Sequence, residues 1–401
     1  MRKLALLLGS LVVVASASAK EVVPAPVVVE EAPVQIVEKE VIVYRDKEEG
    51  FRPNGYVDLQ YKYYGKTENH DAWGATNGGT TRTQLEGKIQ MTEKQALDFR
   101  VRDFNSVEKG SDVNGEAILT GPEDDRRSAT DTTQVRLRYY YDHGTLGDSK
   151  VNFTSRVQYQ NTDNQDADNQ NVEYMARFNF ADYMFNNDFV KTTDFTVAPR
   201  YAYVWNDNSS NYDNQLGVDL YTYHELPWGL SAELNVYTTQ HFYGQDQFFD
   251  GTDKMKDKNF TVDVEAYLYH TLPLYQNDKL SITFNNEGGY DAYNWSQEKK
   301  FGAPHRGGKY DKEYGALNDK VVVNEAENGI ETKAGKGVGT ENAQYSVYLL
   351  STIGVNYQAT PNVTLYAAAG AEYRNWAITS ENSASNWRWQ PTAWAGFKTT
   401  F

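Results

Sequence analysis

From Phe51 onward the chain runs in segments of about ten residues in which apolar and polar side chains alternate, a period of two that marks strands with one dry and one wet face. Val57, Leu59, Tyr61 and Tyr63 alternate with Asp58, Gln60 and Lys62. Leu97, Phe99 and Val101 alternate with Asp98, Arg100 and Arg102, and Val135, Leu137, Tyr139 and Tyr141 with Gln134, Arg136 and Arg138. The pattern predicts fourteen strands, near 55–64, 82–91, 96–104, 132–141, 151–160, 171–181, 194–205, 214–224, 230–240, 259–269, 280–291, 343–357, 363–374 and 387–401. In a water-soluble protein the apolar side of every strand needs a second layer to cover it, and this sequence supplies none.

An even number of strands joined by alternately short and long connections is the pattern of a closed antiparallel barrel in a bacterial outer membrane. The short set includes "TEKQ", "DHGTLGDSK", "LPWG" and "QATPN", although "DYMFNNDFVKTT" and "HTLPLYQNDK" are longer than the rest. The long set, expected outside the cell, includes "GKTENHDAWGATNGGTT" and the stretch from Ser296 to Glu341. Pro199 and Pro391 cannot donate ladder hydrogen bonds, so bulges or irregular pairing are expected at both. Gly288 and Gly289 interrupt the eleventh segment, where a bend is expected.

"MRKLALLLGSLVVVASASAK" has basic Arg2 and Lys3, an apolar run from Leu4 to Val14, and small Ala17 and Ala19. That run is short of the ~20 residues that cross a bilayer, so residues 1–19 read as a secretory signal peptide. Residues 20–50, with Pro24, Pro26 and Pro33, read as a periplasmic linker, with an oligomerisation or wall-binding segment as the alternative, and 51–401 as the barrel. Formal charge is −16, and removal of Arg2 and Lys3 takes it to −18, which argues against nucleic acid as a partner. Cysteine is absent, which excludes disulfides, thiolate metal sites and a lipidated cysteine. Thirty tyrosines and eight tryptophans suit a chain whose partners are outer-membrane lipid and lipopolysaccharide, because such rings settle where one end is dry and the other wet. Phe401 points outward at the end of the closing strand and resembles the aromatic signal read by the outer-membrane assembly machinery.

Several segments resemble the fusobacterial-type major outer-membrane porin family: "KLALLLGSLVVVASASAKEVVPAP", "VIVYRD", "RPNGYVDLQY", "TEKQALDFRVR", "EGGYDAYN", "LYAAAGAEYRN" and "WRWQPTAWAGFKTTF". The likeness covers both ends and much of the strand core, but not the external loops. It implies a homotrimeric general diffusion porin, with a role for its loops in adhesion to other cells.

Enzymatic chemistry has no local support. His70, His143, His224, His241, His270 and His305 are scattered over loops, turns and strand ends, and none belongs to an HExxH or GxSxG motif. His241 lies near the acidic "DQFFD" stretch, which leaves an outer-membrane hydrolase as a distant reading. No cofactor or metal is expected.

The inward face is more informative. Strands two to seven carry Arg82, Lys88, Arg100, Arg102, Arg136, Arg138, Arg156, Arg177 and Arg200 on it, with Glu86, Asp98 and Glu173 as acids. Strands eight to eleven carry Asp219, Glu233, Asp263, Glu265 and Glu287 there, with no base. Local neutralisation would favour alternating signs, so the segregation predicts a basic wall facing an acidic one across an aqueous passage. The expected function is passive diffusion of small hydrophilic solutes and ions, the alternative a barrel that anchors adhesive external loops.

Overall fold

A computed structural model of the chain describes residues 50–66, 68, 80–106, 132–163, 168–207, 210–248, 255–297, 321–324, 329–332, 346–376 and 386–401. The signal peptide, the linker up to residue 49 and most of the long external connections lie outside the described residues.

The strands are β1 (Asn54–Tyr64), β2 (Thr80–Gln90), β3 (Gln95–Ser106), β4 (Thr132–Thr145), β5 (Asn152–Asp163), β6 (Asp168–Asn179), β7 (Lys191–Asn206) and β8 (Tyr212–Glu225). They continue as β9 (Leu230–Phe248), β10 (Met255–Gln276), β11 (Leu280–Ser296), β12 (Val321–Asn324), β13 (Gly329–Thr332), β14 (Ser346–Thr360), β15 (Val363–Trp376) and β16 (Asn386–Thr400). β12 and β13 pair only with each other. The other fourteen close into one barrel, in the order β1-β16-β15-β14-β11-β10-β9-β8-β7-β6-β5-β4-β3-β2. β1 completes the ring by pairing on both sides, with Lys62 opposite Arg82 of β2 and opposite Trp394 of β16.

Closure gives every strand two neighbours, which is what hydrocarbon demands of a backbone that has no water to bond. The alternation sends Tyr61, Leu216, Leu268 and Ile353 outward, where they are 55%, 51%, 49% and 54% exposed. That apolar outer surface would be untenable in water and is what lipid requires, so the chain is a multi-pass barrel of the outer membrane. Leu137, 44% exposed on β4, tests the assignment. Leu137→Arg should cost about 2 to 4 kcal/mol if it lies near the bilayer midplane, measured by equilibrium unfolding in lipid vesicles. A neutral outcome would place this face away from lipid.

The connections at the rim that holds both barrel ends are shorter than the sequence suggests. β10 runs on through "HTLPLYQ", leaving only 277–279 as the turn, which the Asn277 N–H closes on the Leu280 carbonyl at 2.8 Å. Pro273 is tolerated inside β10 because the register shifts between Pro273 and Tyr275. Residues 180–190 stay long but hold a 3-10 turn, Ala181–Tyr183, and a bridge from Asn186 to Lys191.

Pro199 disturbs pairing as expected: the β6–β7 ladder steps from Met175↔Arg200 to Phe178↔Val197. Pro391 does not, and here the expectation is corrected. The β15–β16 register is unbroken through Ala371↔Pro391, and the β1 ladder ends one pair earlier, at Tyr64↔Thr392. The missing N–H therefore lies where β1 has stopped, and the Pro391 carbonyl accepts from the Gly65 N–H at 2.8 Å. Gly288 and Gly289 do not interrupt β11 either. The register shift lies further along β11, where Tyr290 and Tyr293 face Ala266 and Val264 of β10, and Gly289 serves close approach, since a Cβ there would lie 2.2 Å from the Tyr348 ring.

Candidate functional site

Lys88 stands in register with Asp98 and Asp98 with Arg138; Glu86 with Arg100 and Arg100 with Arg136; Gln84 with Arg102 and Arg102 with Gln134. These rows, with Arg82 one step further along β2, lie on the lumen side of β2–β4, because they alternate with outward Leu85, Phe99, Val101 and Leu137. Arginines placed side by side would repel, so what holds each one decides how much charge the wall keeps.

The holders are mostly neutral. Arg82 Nη2 donates to Gln60 Oε1 at 2.7 Å, Arg100 Nη2 to Gln134 Oε1 at 3.0 Å, Arg102 Nε to Gln84 Oε1 at 2.7 Å, and Arg138 Nε to Gln158 Oε1 at 2.6 Å. Among the described residues only Arg136 of these reaches a carboxylate, Asp98, at 3.4 Å, with both groups partly exposed. A glutamine oxygen orients a guanidinium without cancelling its charge. Gln84 also passes its own N–H to Glu86 Oε2 at 2.8 Å and so spaces that acid from Arg102.

Arg156, Arg177 and Arg200 point inward too, but they do not extend this wall, which corrects the sequence reading. Arg156 is joined to Glu173 at 2.5 Å with both side chains buried, and Arg177 to Asp194 at 3.7 Å. Arg200 reaches Asp219 at 3.1 Å and Glu173 at 3.8 Å, with its side chain 3% exposed. Asp219, expected on the acidic wall, is thus half of a buried pair. The guanidinium reaches across β8 because Gly217 opposite has no side chain: a Cβ there would lie 3.2 Å from Arg200 Nε and 2.1 Å from the Thr238 carbonyl. Arg200 therefore also bonds Thr239 on β9. The β8–β9 ladder has no pair at Gly217 and Val218; Thr238 Oγ1 takes the Val218 N–H at 3.0 Å and donates to its carbonyl at 2.8 Å. Strands β5–β8 form a neutralised seam beside the basic wall.

On β9–β11 tyrosine hydroxyls donate to the acids. Tyr269 donates to Glu233 at 3.1 Å, Tyr237 to Glu265 at 3.0 Å, and Tyr348 of β14 to Glu287. A phenol donates one hydrogen bond to a carboxylate and leaves it an anion. Asp263, 5% exposed, is buried on the same wall. The two walls face each other: from β3 to β10 the ring takes seven steps in either direction, through β4 to β9 or through β2, β1, β16, β15, β14 and β11.

The amide and phenol partners were not singled out from the sequence, though Gln60, Gln84, Gln134 and Gln158 share the inward parity of the arginines and were legible to that extent. A further buried pair, Glu372 with Arg374 at 2.6 Å on β15, was also unforeseen.

The histidines give little support to catalysis. His241 Nδ1 lies 2.7 Å from Asp213 Oδ2 and its Nε2 3.1 Å from Thr261 Oγ1. The acidic partner described for it, Asp213, is on β8. This row has the order of a nucleophile, base and orienting acid, but the three residues are only 2% to 3% exposed and no substrate could meet the hydroxyl. His143 meets Ser155 at 2.9 Å and His224 meets Thr192 at 3.0 Å, with no carboxylate in either contact. Among the described residues no cluster of metal-ligating side chains occurs. His70 and His305 lie outside the described residues.

No family model and no curated protein matches the chain. Solved structures similar to it include a bacterial polysaccharide outer-membrane secretin (10% identity, 86% of this chain and 97% of that one, TM-score 0.35). Others are an anion-selective porin from Comamonas acidovorans (9%, 87% and 99%, TM-score 0.28) and OmpF of Salmonella typhi in complex with daunomycin (10%, 87% and 97%, TM-score 0.28).

Proposed function

We propose that this chain is a passive porin for small hydrophilic solutes and ions, belongs to the fusobacterial-type major outer-membrane porin family, and works as a homotrimer. Phe401, exposed just beyond the end of β16, is proposed as its assembly signal. The observation that carries the pore reading is the wall of β2–β4, where Arg82, Arg100, Arg102 and Arg138 rest on glutamine, opposite a wall where Glu233 and Glu287 accept from tyrosine. A protein that needed these residues only for stability would gain from pairing them with counter-charges, as it does on β5–β8. Left uncompensated across an aqueous passage, they maintain a transverse field. Such a field orients dipolar solutes and disfavours apolar ones, which displace ordered water without replacing its interactions.

Planar-bilayer recording is the test. Stepwise, ohmic single-channel currents are expected from the purified, folded protein. Well-folded protein that inserts and stays silent would sink the proposal.

A further inference from the structure

We propose that the outward face running from β10 round to β1 is the surface through which copies of this chain assemble, which rests on the homotrimer reading and deepens it by placing the subunit contact. His270 of β10, Asn286 of β11 and Ser351 of β14 stand in register as one outward row. Leu272, Phe284 and Ile353 flank it on the side of the rim that holds both barrel ends, and Leu268, Gly288 and Leu349 on the other. Ser351 Oγ donates to Asn286 Oδ1 at 2.8 Å, and the Asn286 amide donates to His270 Nδ1 at 3.5 Å. With Nδ1 accepting, the imidazole proton sits on Nε2, which meets no partner among the described residues. His270 stands five residues from Tyr275, itself exposed beside the 277–279 turn. At roughly 3.3 Å per residue and a tilt of about 40°, that is about 12 Å into an apolar band about 25 Å tall. Hydrocarbon offers no acceptor at that depth, so the row fits a protein surface and not lipid.

Gly288 points the same way independently. It lies between exposed Leu268 and Leu349 and leaves a notch beside Asn286. Nothing described within the barrel requires a glycine there, since a Cβ would meet only the Leu268 carbonyl oxygen, at 3.9 Å. The complementary surface lies further round the ring. Ala369 faces Ala393 and Ala367 faces Ala395 across β15 and β16, a low floor that lets a second backbone approach closely. Tyr61 and Tyr63 of β1 stand beside that floor, in register with Ala395 and Ala393, and offer hydroxyls to the His270 Nε2–H of the next copy. Copies rotated about the bilayer normal touch only at equal depths. Tyr61 lies seven residues in from Asn54 and Asn286 six in from Leu280, both counted from the same rim, so the depths agree. In a three-fold ring each copy meets its two neighbours in directions about 60° apart. In this ring of fourteen strands β11 and the β15–β16 seam are two and a half steps apart, about 64°. A two-fold pair would instead set the row against itself.

Because the chain has no cysteine, introduced thiols report cleanly on the contact. Leu268→Cys with Ala395→Cys leaves His270, Asn286 and Tyr61 in place and should give covalent trimers with a short bismaleimide in lipid vesicles. Either single variant should stay uncrosslinked, because row and floor are different faces. Leu216→Cys with Ala395→Cys should also stay uncrosslinked, since β8 lies six steps round the ring from β16. Gly288→Leu should fold as the native barrel does, since leucine suits a lipid-facing position, yet fill the notch and shift trimers to monomers in analytical ultracentrifugation in mild detergent. His270→Leu with Asn286→Leu should weaken association about tenfold, as interhelical polar contacts in membranes do when removed. A folded Gly288→Leu barrel as trimeric as the native one, native trimers without the Leu268–Ala395 crosslink, or a native barrel that is monomeric in vesicles would each overturn the interface. A barrel that conducts while Gly288→Leu stays trimeric refutes this inference alone; one that crosslinks as expected and stays silent in planar bilayers refutes the porin reading alone.

Discussion

Arg200→Met should destabilise the barrel by about 3 to 5 kcal/mol, the usual cost of removing one partner from a buried ion pair. Methionine keeps much of the volume, so the loss is mainly electrostatic. It strands Asp219, whose side chain is 4% exposed, with the Tyr221 hydroxyl at 3.2 Å, and it removes the contacts to Gln215 and Thr239. Urea unfolding in lipid vesicles would read this as a lower midpoint. Arg200→Met with Asp219→Asn should recover part of the loss, because the stranded charge goes with its partner. Unchanged stability in the single variant would mean that water reaches Asp219.

Replacing Arg100, Arg102, Arg136 and Arg138 with alanine should have the opposite profile, a small effect on assembly and a large one on current. Three of the four rest on glutamines, so their removal strands no buried acid, and Asp98 is partly exposed. Cation permeability relative to anions should rise, and single-channel conductance should hold or increase as side-chain volume leaves the lumen. Glu265→Gln on the opposite wall should shift selectivity toward anions. A quadruple variant that assembles with native selectivity would move the limiting constriction away from β3 and β4.

The fold was legible to within a few residues at most strand ends, because a period of two written in Val, Leu, Tyr and Phe leaves little choice of register for a two-faced strand. β10 was cut short at Tyr269 because "HTLPLYQNDK" was read as a connection, whereas the strand runs on to Gln276 with a bulge after Pro273. The inward face predicted for the charged residues followed from the same parity. Their pairing did not, since it depends on which residues stand opposite across strands. Arg156 meets Glu173 because β5 and β6 align Gln158 with Glu173, one inward step from Arg156. Arg200 reaches β9 only because Gly217 opens the way. Neither relation is visible along one strand. The neutral holders were equally hidden, because a glutamine on an inward face reads as generic polarity until the arginine beside it is known.

Glutamine-to-glutamate exchange tests most directly whether uncompensated charge governs this lumen. Gln134→Glu and Gln158→Glu keep the shape and the acceptor oxygens that hold Arg100 and Arg138, and add only the negative charge that the native wall lacks. Reversal potentials of single channels under a KCl gradient should shift toward cation selectivity in the double variant, in the same sense as the alanine quadruple, with the barrel still folded. A folded double variant whose reversal potential equals that of the native protein would contradict the claim that neutral holders preserve a field-setting basic wall.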